Sequence, residues 1–569
     1  MDKMKNLLAM HYQAPLREPA EVMNLERMGC FHQTRLSFMR QLLRRISKER
    51  WSFSKPVWEI STDGYGTAVY TMEGLSRIYS LVAFSHYLPD SERSDRVIAT
   101  AWDVTFTLYD GIPNRGEIDR LLKNVPYQEE GRLSSKELVL GRANKSLRLW
   151  NKVVASLAKG LQPELSDVEE VGYLMRTTAV YGSGKFGLND RAFIENREEL
   201  ASPFQAEMLA VYLVRCFVLD LVEFVALKRG GNLACRIEPK LKKRFGIGNS
   251  TGLGMAPFLV NHPRLLNQWI EAREISIARV RSVKEISSEK ARLFSWVLVS
   301  AQENALNWLS EHPIQMLKLE DLRNDLQKTK DYFDSLTGSE SYPWDTMYHW
   351  ATKNISLEAQ EALFSLMLEP YSELVDEMSK EMSVEENKYF RIDGSLECKA
   401  IKKLIENSFS WALAFDYSRR KGQARFWYVS EEKLEPRLGE RFEEEGADLE
   451  QPLAVGRDIK ELYDALGKCL LSDKLADFLI DNPKFRHTVR RILETKDLTY
   501  GEIRDNLIAF DMKPIDMLRC KLSFFGADRF DPRSDRWVRI CMYQNAQFPN
   551  ELLEEYDDFW PYSATENHK

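Results

Sequence analysis

The chain has 569 residues, of which 44% are hydrophobic and 29% charged, and its formal net charge is −7 at pH 7. A chain of this length exceeds what one hydrophobic core usually serves, and the composition excludes an intrinsically disordered protein, so two or more folded domains are expected. The slightly negative charge, with acidic and basic residues interspersed, disfavours general nucleic-acid binding, which requires a surplus of cations.

Cysteine usage and the apolar segments indicate where the protein resides. Seven cysteines are scattered without a Cys-x-x-Cys spacing, a pattern typical of reduced thiols in the cytoplasm. The N-terminus lacks the continuous apolar stretch of a signal peptide. Residues 208–227 are about as long as a bilayer span, but Arg215, Asp220 and Glu223 interrupt them. The sequence therefore predicts a soluble cytoplasmic protein without a membrane partner, in which residues 208–227 form a buried helix.

Residues 1–335 are predicted to form a helical lobe with one hairpin. The hairpin spans residues 57–70, where apolar and aromatic residues flank Asp63-Gly64-Tyr65-Gly66. Ser166 and Glu169 form a capping box for a helix that Gly182 ends, and Ser202 caps the next helix, which Gly230 stops. The other helices are predicted at residues 75–87, 97–109, 134–157, 263–283 and 288–309.

Residues 336–569 are predicted to form a second, mixed lobe. A cluster of polar turn residues at 336–343 marks the boundary. Helices are predicted at residues 356–378 and 400–414, and short strands at 424–429, 453–455 and 537–543. The predicted fold class is therefore mainly α, with a large multi-helix N-terminal lobe and a helical C-terminal lobe that carries a small β-sheet.

Two glycine-rich segments, residues 181–187 and 245–254, are the most informative local feature. The second has the G-x-x-x-G-x-G spacing of one class of nicotinamide-dependent enzymes, but charged residues precede it and Pro257 interrupts the helix that should follow. The first contains a Gly-Lys pair, but a Walker A loop needs Ser or Thr next, where Phe186 stands. Both segments are interpreted as turns that are either purely structural or form the backbone walls of a ligand pocket.

Candidate site residues lie in and between these segments. Asp220 and Glu223 are the predicted catalytic residues because they share one face of a helix that is apolar on nearly every side. A buried carboxylate pair either shares a proton for acid–base chemistry or accepts an arginine from another helix as a structural clamp. The predicted anion-binding residues are Lys185, Arg191, Arg244 and His262, with the backbone of Gly248 and Gly252.

Together these features predict an enzyme that acts on a small anionic metabolite near the two glycine-rich turns. No motif identifies the reaction or a cofactor, and the eight histidines occur singly, so no metal site is predicted. One alternative is a non-catalytic helical scaffold or regulator. Another is a single-stranded nucleic-acid binding protein, since residues 417–428 and 524–537 mix cations with aromatics, although interleaved carboxylates disfavour it.

Overall fold

The chain groups into two compact units, each assembled from three stretches of sequence. Unit 1 comprises Met1–Phe31, Leu253–Ser282 and Glu377–Lys521, and unit 2 comprises His32–Gly252, Val283–Asp376 and Leu522–Lys569. This grouping does not test the boundary between two lobes predicted at residue 336, which stays a prediction. The computed structural model describes residues 13–93, 101–126, 134–177, 194, 196–251, 262–306, 308, 313–336, 341–382, 390–418, 427–430, 450–453, 455–470, 472–504, 514–527, 529–531 and 538–563.

Helices account for most of the regular structure in these residues. They are α1 Pro19–Val22, α2 Leu25–Met28, α3 Phe38–Glu49, α4 Arg115–Asn124, α5 Trp150–Ala158, α6 Leu165–Val171, α7 Gln205–Gly230, α8 Pro239–Lys243, α9 Pro263–Arg281, α10 Ser288–Leu306, α11 Pro313–Ser335, α12 Pro343–Asn354, α13 Leu357–Met367, α14 Ser372–Val375, α15 Cys398–Ser408, α16 Ser410–Leu413, α17 Val455–Leu466, α18 Leu475–Asp481, α19 Arg486–Thr495, α20 Pro514–Phe525 and α21 Pro549–Glu554. None of the described helices is both long and apolar enough to cross a bilayer.

The strands form one large sheet and one small one. They are β1 Ser52–Ile60, β2 Gly66–Glu73, β3 Ile78–Ser85, β4 Val104–Asp110, β5 Glu137–Lys145, β6 Tyr173–Thr177, β7 Gly246–Thr251, β8 Trp427–Ser430, β9 Glu450–Leu453, β10 Arg529–Asp531 and β11 Val538–Met542. In the described part of unit 2, nine strands pair in the order β1-β2-β3-β4-β5-β6-β7-β11-β10. The pairs are antiparallel except β6 and β7, which run parallel. β8 and β9 pair in unit 1.

Both faces of the large sheet are covered. On one face, Tyr70 of β2 donates a 2.7 Å hydrogen bond to Asp220 of α7, and Trp58 of β1 packs against Phe217 and Phe224 of the same helix. On the other face, strands β2–β5 share a core with α4 and the residue after it, formed by Val69, Val82, Phe84, Tyr109, Ile118, Leu121, Val125 and Leu140. Strands β2–β5 are consequently buried along nearly their whole length.

The predicted fold class is wrong about the sheet. Seven of the nine strands of the large sheet precede residue 252, and β11, predicted for a small C-terminal sheet, pairs with β7. Residues predicted as helices at 75–87, 97–109 and the start of 134–157 form β3, β4 and β5. A strand buried on both faces has a continuous apolar run rather than strict alternation, and such a run resembles a buried helix.

Helices with clear local end signals are confirmed, and one is shortened. α7, α9 and α10 begin and end within a few residues of their predicted limits, and the hairpin at residues 57–70 lies within β1 and β2. The helix predicted from Ser166 ends instead at Gly172, which takes a left-handed φ of 77° and caps α6. Leu174 and Met175, read as its later apolar positions, belong to β6.

A network of ion pairs joins α3 to two later segments of unit 2. Arg40 and Glu369 are fully buried and form two parallel 2.7 Å hydrogen bonds. Arg35 lies 2.8 Å from Asp376 and 2.7 Å from Asp558, and Arg44 lies 3.0 Å from Asp558. The network therefore balances three cations against three carboxylates: Arg35, Arg40 and Arg44 with Glu369, Asp376 and Asp558.

Unit 1 contains a smaller buried ion pair on α9. Arg17 donates to both carboxylate oxygens of Glu274 at 2.7 and 2.6 Å, and both side chains are buried. The Tyr500 hydroxyl donates to the backbone oxygen of Arg17, and the Tyr500 backbone N–H donates to Asn267 of α9, both at 2.7 Å. These contacts fasten three separate stretches of sequence together inside the unit.

Asp458, in the first turn of α17 in unit 1, is expected to lower stability at neutral pH. Burial and Glu461 raise its pKa to about 7, against the opposing effect of Arg457 and Arg491. Since the folded state holds this proton more tightly than the unfolded chain, the stabilisation is full below about pH 4 and is lost as the pH rises through 7. Asp458→Asn should therefore raise the free energy of unfolding by about 2 kcal/mol at pH 8 and leave it nearly unchanged at pH 4.

Calorimetric unfolding at both pH values measures this effect. Asp464→Asn, on an exposed residue of the same helix that pairs with Lys460, is the matched control and should change stability little at pH 8. Equal effects of Asp458→Asn at pH 4 and pH 8 would contradict the raised pKa.

Candidate functional site

Several predicted site residues lie outside the described residues. These are Lys185, Arg191 and Gly252, together with the first glycine-rich segment at 181–187. Arg419 and Arg536, which the nucleic-acid hypothesis would join in one groove, also lie outside. The residues that are described are Asp220, Glu223, Arg244, Gly248 and His262.

Asp220 and Glu223 point to different partners on α7. Asp220 is partly exposed and accepts hydrogen bonds from Tyr70 at 2.7 Å and Lys55 at 3.0 Å. Glu223 is buried, lies 3.1 Å from the Lys242 ammonium and accepts a hydrogen bond from the Ile237 backbone. Each carboxylate thus has its own lysine, an arrangement that suits two structural clamps better than a proton shared between the two.

The second glycine-rich segment is mostly a strand rather than a turn. Gly246–Thr251 form β7 in the interior of the large sheet. A Cβ at Gly248 would lie 2.8 Å from the ring of Tyr173 on β6, so this glycine permits close packing between neighbouring strands. Because β6 and β7 are parallel neighbours, the chain leaves them at the same edge of the sheet, after Thr177 and after Thr251.

The remaining two predicted anion-binding residues belong to different units. Arg244 follows α8 in unit 2, and His262 precedes α9 in unit 1. Two lysines next to Arg244 already face carboxylates, since Lys242 lies 3.1 Å from Glu223 and Lys243 lies 2.8 Å from Glu551. The basic stretch before β7 is therefore largely neutralised by partners within unit 2.

Another group of polar side chains lies where β3 and β5 end and β4 begins. We call His86, Arg93, Asp103 and Lys145 the Lys145 site. Asp103 is 1% exposed and precedes β4, where its backbone N–H donates to the Asn144 side chain at 2.9 Å. Its carboxylate accepts hydrogen bonds from the Lys145 backbone N–H at 2.9 Å and from Arg93 at 3.2 Å. Asp103 is thus a fixed anchor beside which two cations are held.

Lys145 is the last residue of β5, and its ammonium is held among aromatic rings. The Nζ atom lies 3.5 Å from the Asp103 carboxylate, 5.1 Å from the Trp150 ring centroid and 5.7 Å from the Tyr65 ring centroid. Burial lowers the pKa of Lys145, Arg93 and Arg229 lower it further, and Asp103 opposes them. A lysine in such surroundings supplies a neutral amine more readily than an exposed lysine does.

His86 completes the Lys145 site next to the same carboxylate. Its backbone N–H donates to the Asp103 backbone oxygen at 2.8 Å, and its Nε2 lies 2.8 Å from the Thr105 hydroxyl. Burial lowers the pKa of His86, while Asp103 raises it. The imidazole is therefore mainly neutral at pH 7.

Sequence reasoning missed this site because its residues come from three stretches read as helices or loops. The alternation of Thr105 and Thr107 with Phe106 and Leu108 was the available signal, since this pattern is typical of a strand. A strand there would have placed Asp103 at the sheet edge, but pairing of β4 with β5 is needed to bring Lys145 to it.

No family model, curated protein or solved structure matches the chain. The site is therefore interpreted from its own geometry. Among the described residues, no group of three or more His, Cys, Asp and Glu side chains is arranged to hold a metal ion.

Proposed function

We propose that the protein is a cytoplasmic enzyme that binds a small anionic metabolite at the Lys145 site. The observation that carries this proposal is the placement of Lys145 and Arg93 around one buried carboxylate, Asp103. A third cation, Arg229 at the end of α7, acts on Lys145 from the same region. The cytoplasmic location is supported by the seven cysteines, all of which are free thiols.

The charges of the site favour an anionic ligand. Two cations beside one carboxylate attract a negative group, and charge-assisted hydrogen bonds to a carboxylate or phosphate are the strong ones. The aromatic rings of Tyr65 and Trp150 supply apolar surface next to those cations, as small-molecule sites commonly do. The proposed binding site therefore lies where β3 and β5 end and β4 begins, rather than at the glycine-rich segments.

Titration of the purified full-length protein with phosphate, malonate and pyruvate tests this proposal by calorimetry. Removing one charge-assisted contact should weaken binding by about 10-fold or more, so Lys145→Gln and Arg93→Gln should both lose affinity for whichever anion binds. Lys159→Gln removes an exposed lysine just after α5 and should bind as the unchanged protein does. Equal affinity in all three variants would overturn the proposed site, and so would the absence of binding by any of the three anions.

A helical interaction protein is a second candidate function, supported by one surface. Leu306 at the end of α10 and Met316 and Leu317 at the start of α11 are all more than half exposed, at 51%, 54% and 62%. Exposed apolar residues that form one patch often mark a protein–protein contact. Failure of the anion titration would favour this alternative.

A further inference from the structure

We propose that Lys145 is a catalytic nucleophile that forms an imine with the aldehyde or ketone group of an anionic substrate. This inference rests on the proposed function and names its substrate class, a small 2-oxo acid or phosphorylated carbonyl compound. The structure contributes three observations: the position of the amine, the groups that face it and the proton acceptor beside it.

The amine is reachable but confined. The Lys145 side chain is 12% exposed, so part of it is open to solvent while most of it is enclosed. The rings of Tyr65 and Trp150 lie beside the ammonium, at 5.7 and 5.1 Å from their centroids. A nucleophile fixed in this way loses little conformational freedom when it reacts, and orientation of this kind contributes to rate.

The carboxylate beside Lys145 is shared with other donors. Among the described residues, Asp103 is the acid paired with Lys145, at 3.5 Å, and it also accepts hydrogen bonds from Arg93 and from the Lys145 backbone. In the described part of the chain, the charged and titratable groups that act on the amine or lie beside it are Asp103, Arg93, Arg229 and Tyr65. Burial, Arg93 and Arg229 lower the pKa of Lys145 while Asp103 raises it, so the neutral amine forms at a lower pH than in an exposed lysine.

The chemical step balances without an oxidant or reductant. The neutral Nζ attacks the carbonyl carbon and forms a C–N bond, and one of its two protons passes to the carbonyl oxygen to give a carbinolamine. The nitrogen lone pair then expels the hydroxyl group, which takes the second nitrogen proton and leaves as water, so the C–O bond breaks and the imine forms. Asp103 is placed to accept the proton that the nitrogen releases, and Arg93 is placed to pair with the anionic group of the substrate.

Reductive trapping tests the inference on the full-length protein. The protein is incubated with pyruvate or glyoxylate and sodium cyanoborohydride, and the modified lysines are identified and timed by peptide mass spectrometry. We expect Lys145 to be labelled at least 10-fold faster than exposed Lys159, and Lys145→Arg to abolish this fast adduct while Lys159→Arg leaves it unchanged. The uncharged probe propionaldehyde should label Lys145 at least 10-fold more slowly than glyoxylate does, since it lacks the group that Arg93 would bind.

The pH dependence of labelling gives a second readout that needs no variant. The labelling rate of Lys145 should level off at a lower pH than that of Lys159, because its amine loses its proton earlier. Labelling of Lys145 no faster than Lys159, with anion binding intact, would overturn the imine and leave the proposed function standing. If none of the three anions binds in the calorimetric titration and Lys145 is labelled no faster than Lys159, both the imine and the proposed function are overturned.

Discussion

Arg40→Met is expected to lower the free energy of unfolding of unit 2 by about 3–5 kcal/mol. Arg40 is fully buried and forms two 2.7 Å hydrogen bonds to Glu369, which is also fully buried, and it lies 3.3 Å from Asp558. Methionine fills similar space but leaves the Glu369 carboxylate in the interior with less compensation. An uncompensated buried charge costs far more than the ion pair itself contributes.

The chain offers a matched control on the same helix. Lys48 on α3 is exposed, so Lys48→Met removes the same charge and should change the unfolding free energy by no more than about 0.5 kcal/mol. Replacing Glu369 by leucine together with Arg40→Met should recover part of the loss, because neither charge is then left unpaired. Denaturant unfolding of the unchanged protein, Arg40→Met, Glu369→Leu and the double variant measures the coupling, and additive losses would contradict the role given to this pair.

The ion-pair network around Arg40 also determines the pH range in which the unchanged protein and Arg40→Met differ in stability. Burial opposes ionisation of Asp558, but Arg40, Arg44 and Arg35 outweigh it and hold the pKa of Asp558 well below its ordinary value. A carboxylate with a lowered folded-state pKa stabilises the fold above the unfolded pKa, and the stabilisation is lost as the pH falls towards the folded pKa. The gap between the unchanged protein and Arg40→Met should therefore be widest near pH 7 and should narrow below about pH 4.

Arg215→Met should lower the free energy of unfolding by a similar amount, about 3–5 kcal/mol, for a different reason. The Arg215 guanidinium on α7 is fully buried and donates to the backbone oxygens of Phe245 at 2.7 Å, Ala546 at 2.8 Å and Lys243 at 3.2 Å. Phe245 immediately precedes β7, and Ala546 lies four residues beyond the end of β11. Methionine leaves these carbonyl oxygens without their donor, and each buried unsatisfied group costs about 1–3 kcal/mol.

Hydrogen exchange shows which strands Arg215→Met destabilises, and by how much. Amides of β7 and β11 should exchange faster in Arg215→Met, whereas those of β2 and β3, farther along the sheet, should change less. Lys228→Met removes an exposed cation from the same helix and is the control for charge alone. A uniform small change in exchange across the sheet would show that Arg215 does not fasten these two strands.

Arg40 and Arg215 differ from Lys145 in the partners and the exposure of their charged groups. Arg40 and Arg215 have all their donors directed at fixed carboxylate or carbonyl oxygens. Lys145, by contrast, shares a carboxylate that also accepts two other hydrogen bonds and remains partly exposed between aromatic rings. A functional amine needs this kind of access, which a structural clamp does not.

The sequence alone predicted three of the four longest described helices, α7, α9 and α10, because their signals are local, but it did not predict α11. Pro263 at the first position of α9 and Gly230 at the end of α7 act on neighbouring backbone, and apolar periodicity is complete within each helix. The burial of α7 also followed, since a helix that is apolar on nearly every side has no face for solvent. The presence of charges on that helix was visible as well, but not the partners that would decide their role.

Tertiary structure alone decided the sheet and the site. Strands β2–β5 carry continuous apolar runs because both of their faces are covered. They therefore lack the alternation of polar and apolar residues from which a strand is predicted. Lys145 meets Asp103 through the pairing of β4 with β5, and Asp220 and Glu223 find separate lysines on elements far away in sequence. Pairing between distant segments depends on the whole fold, whereas helix caps and periodicity depend on neighbouring residues. The sequence therefore predicted helices such as α7, α9 and α10, and the tertiary structure decided the sheet and brought the residues of the Lys145 site together.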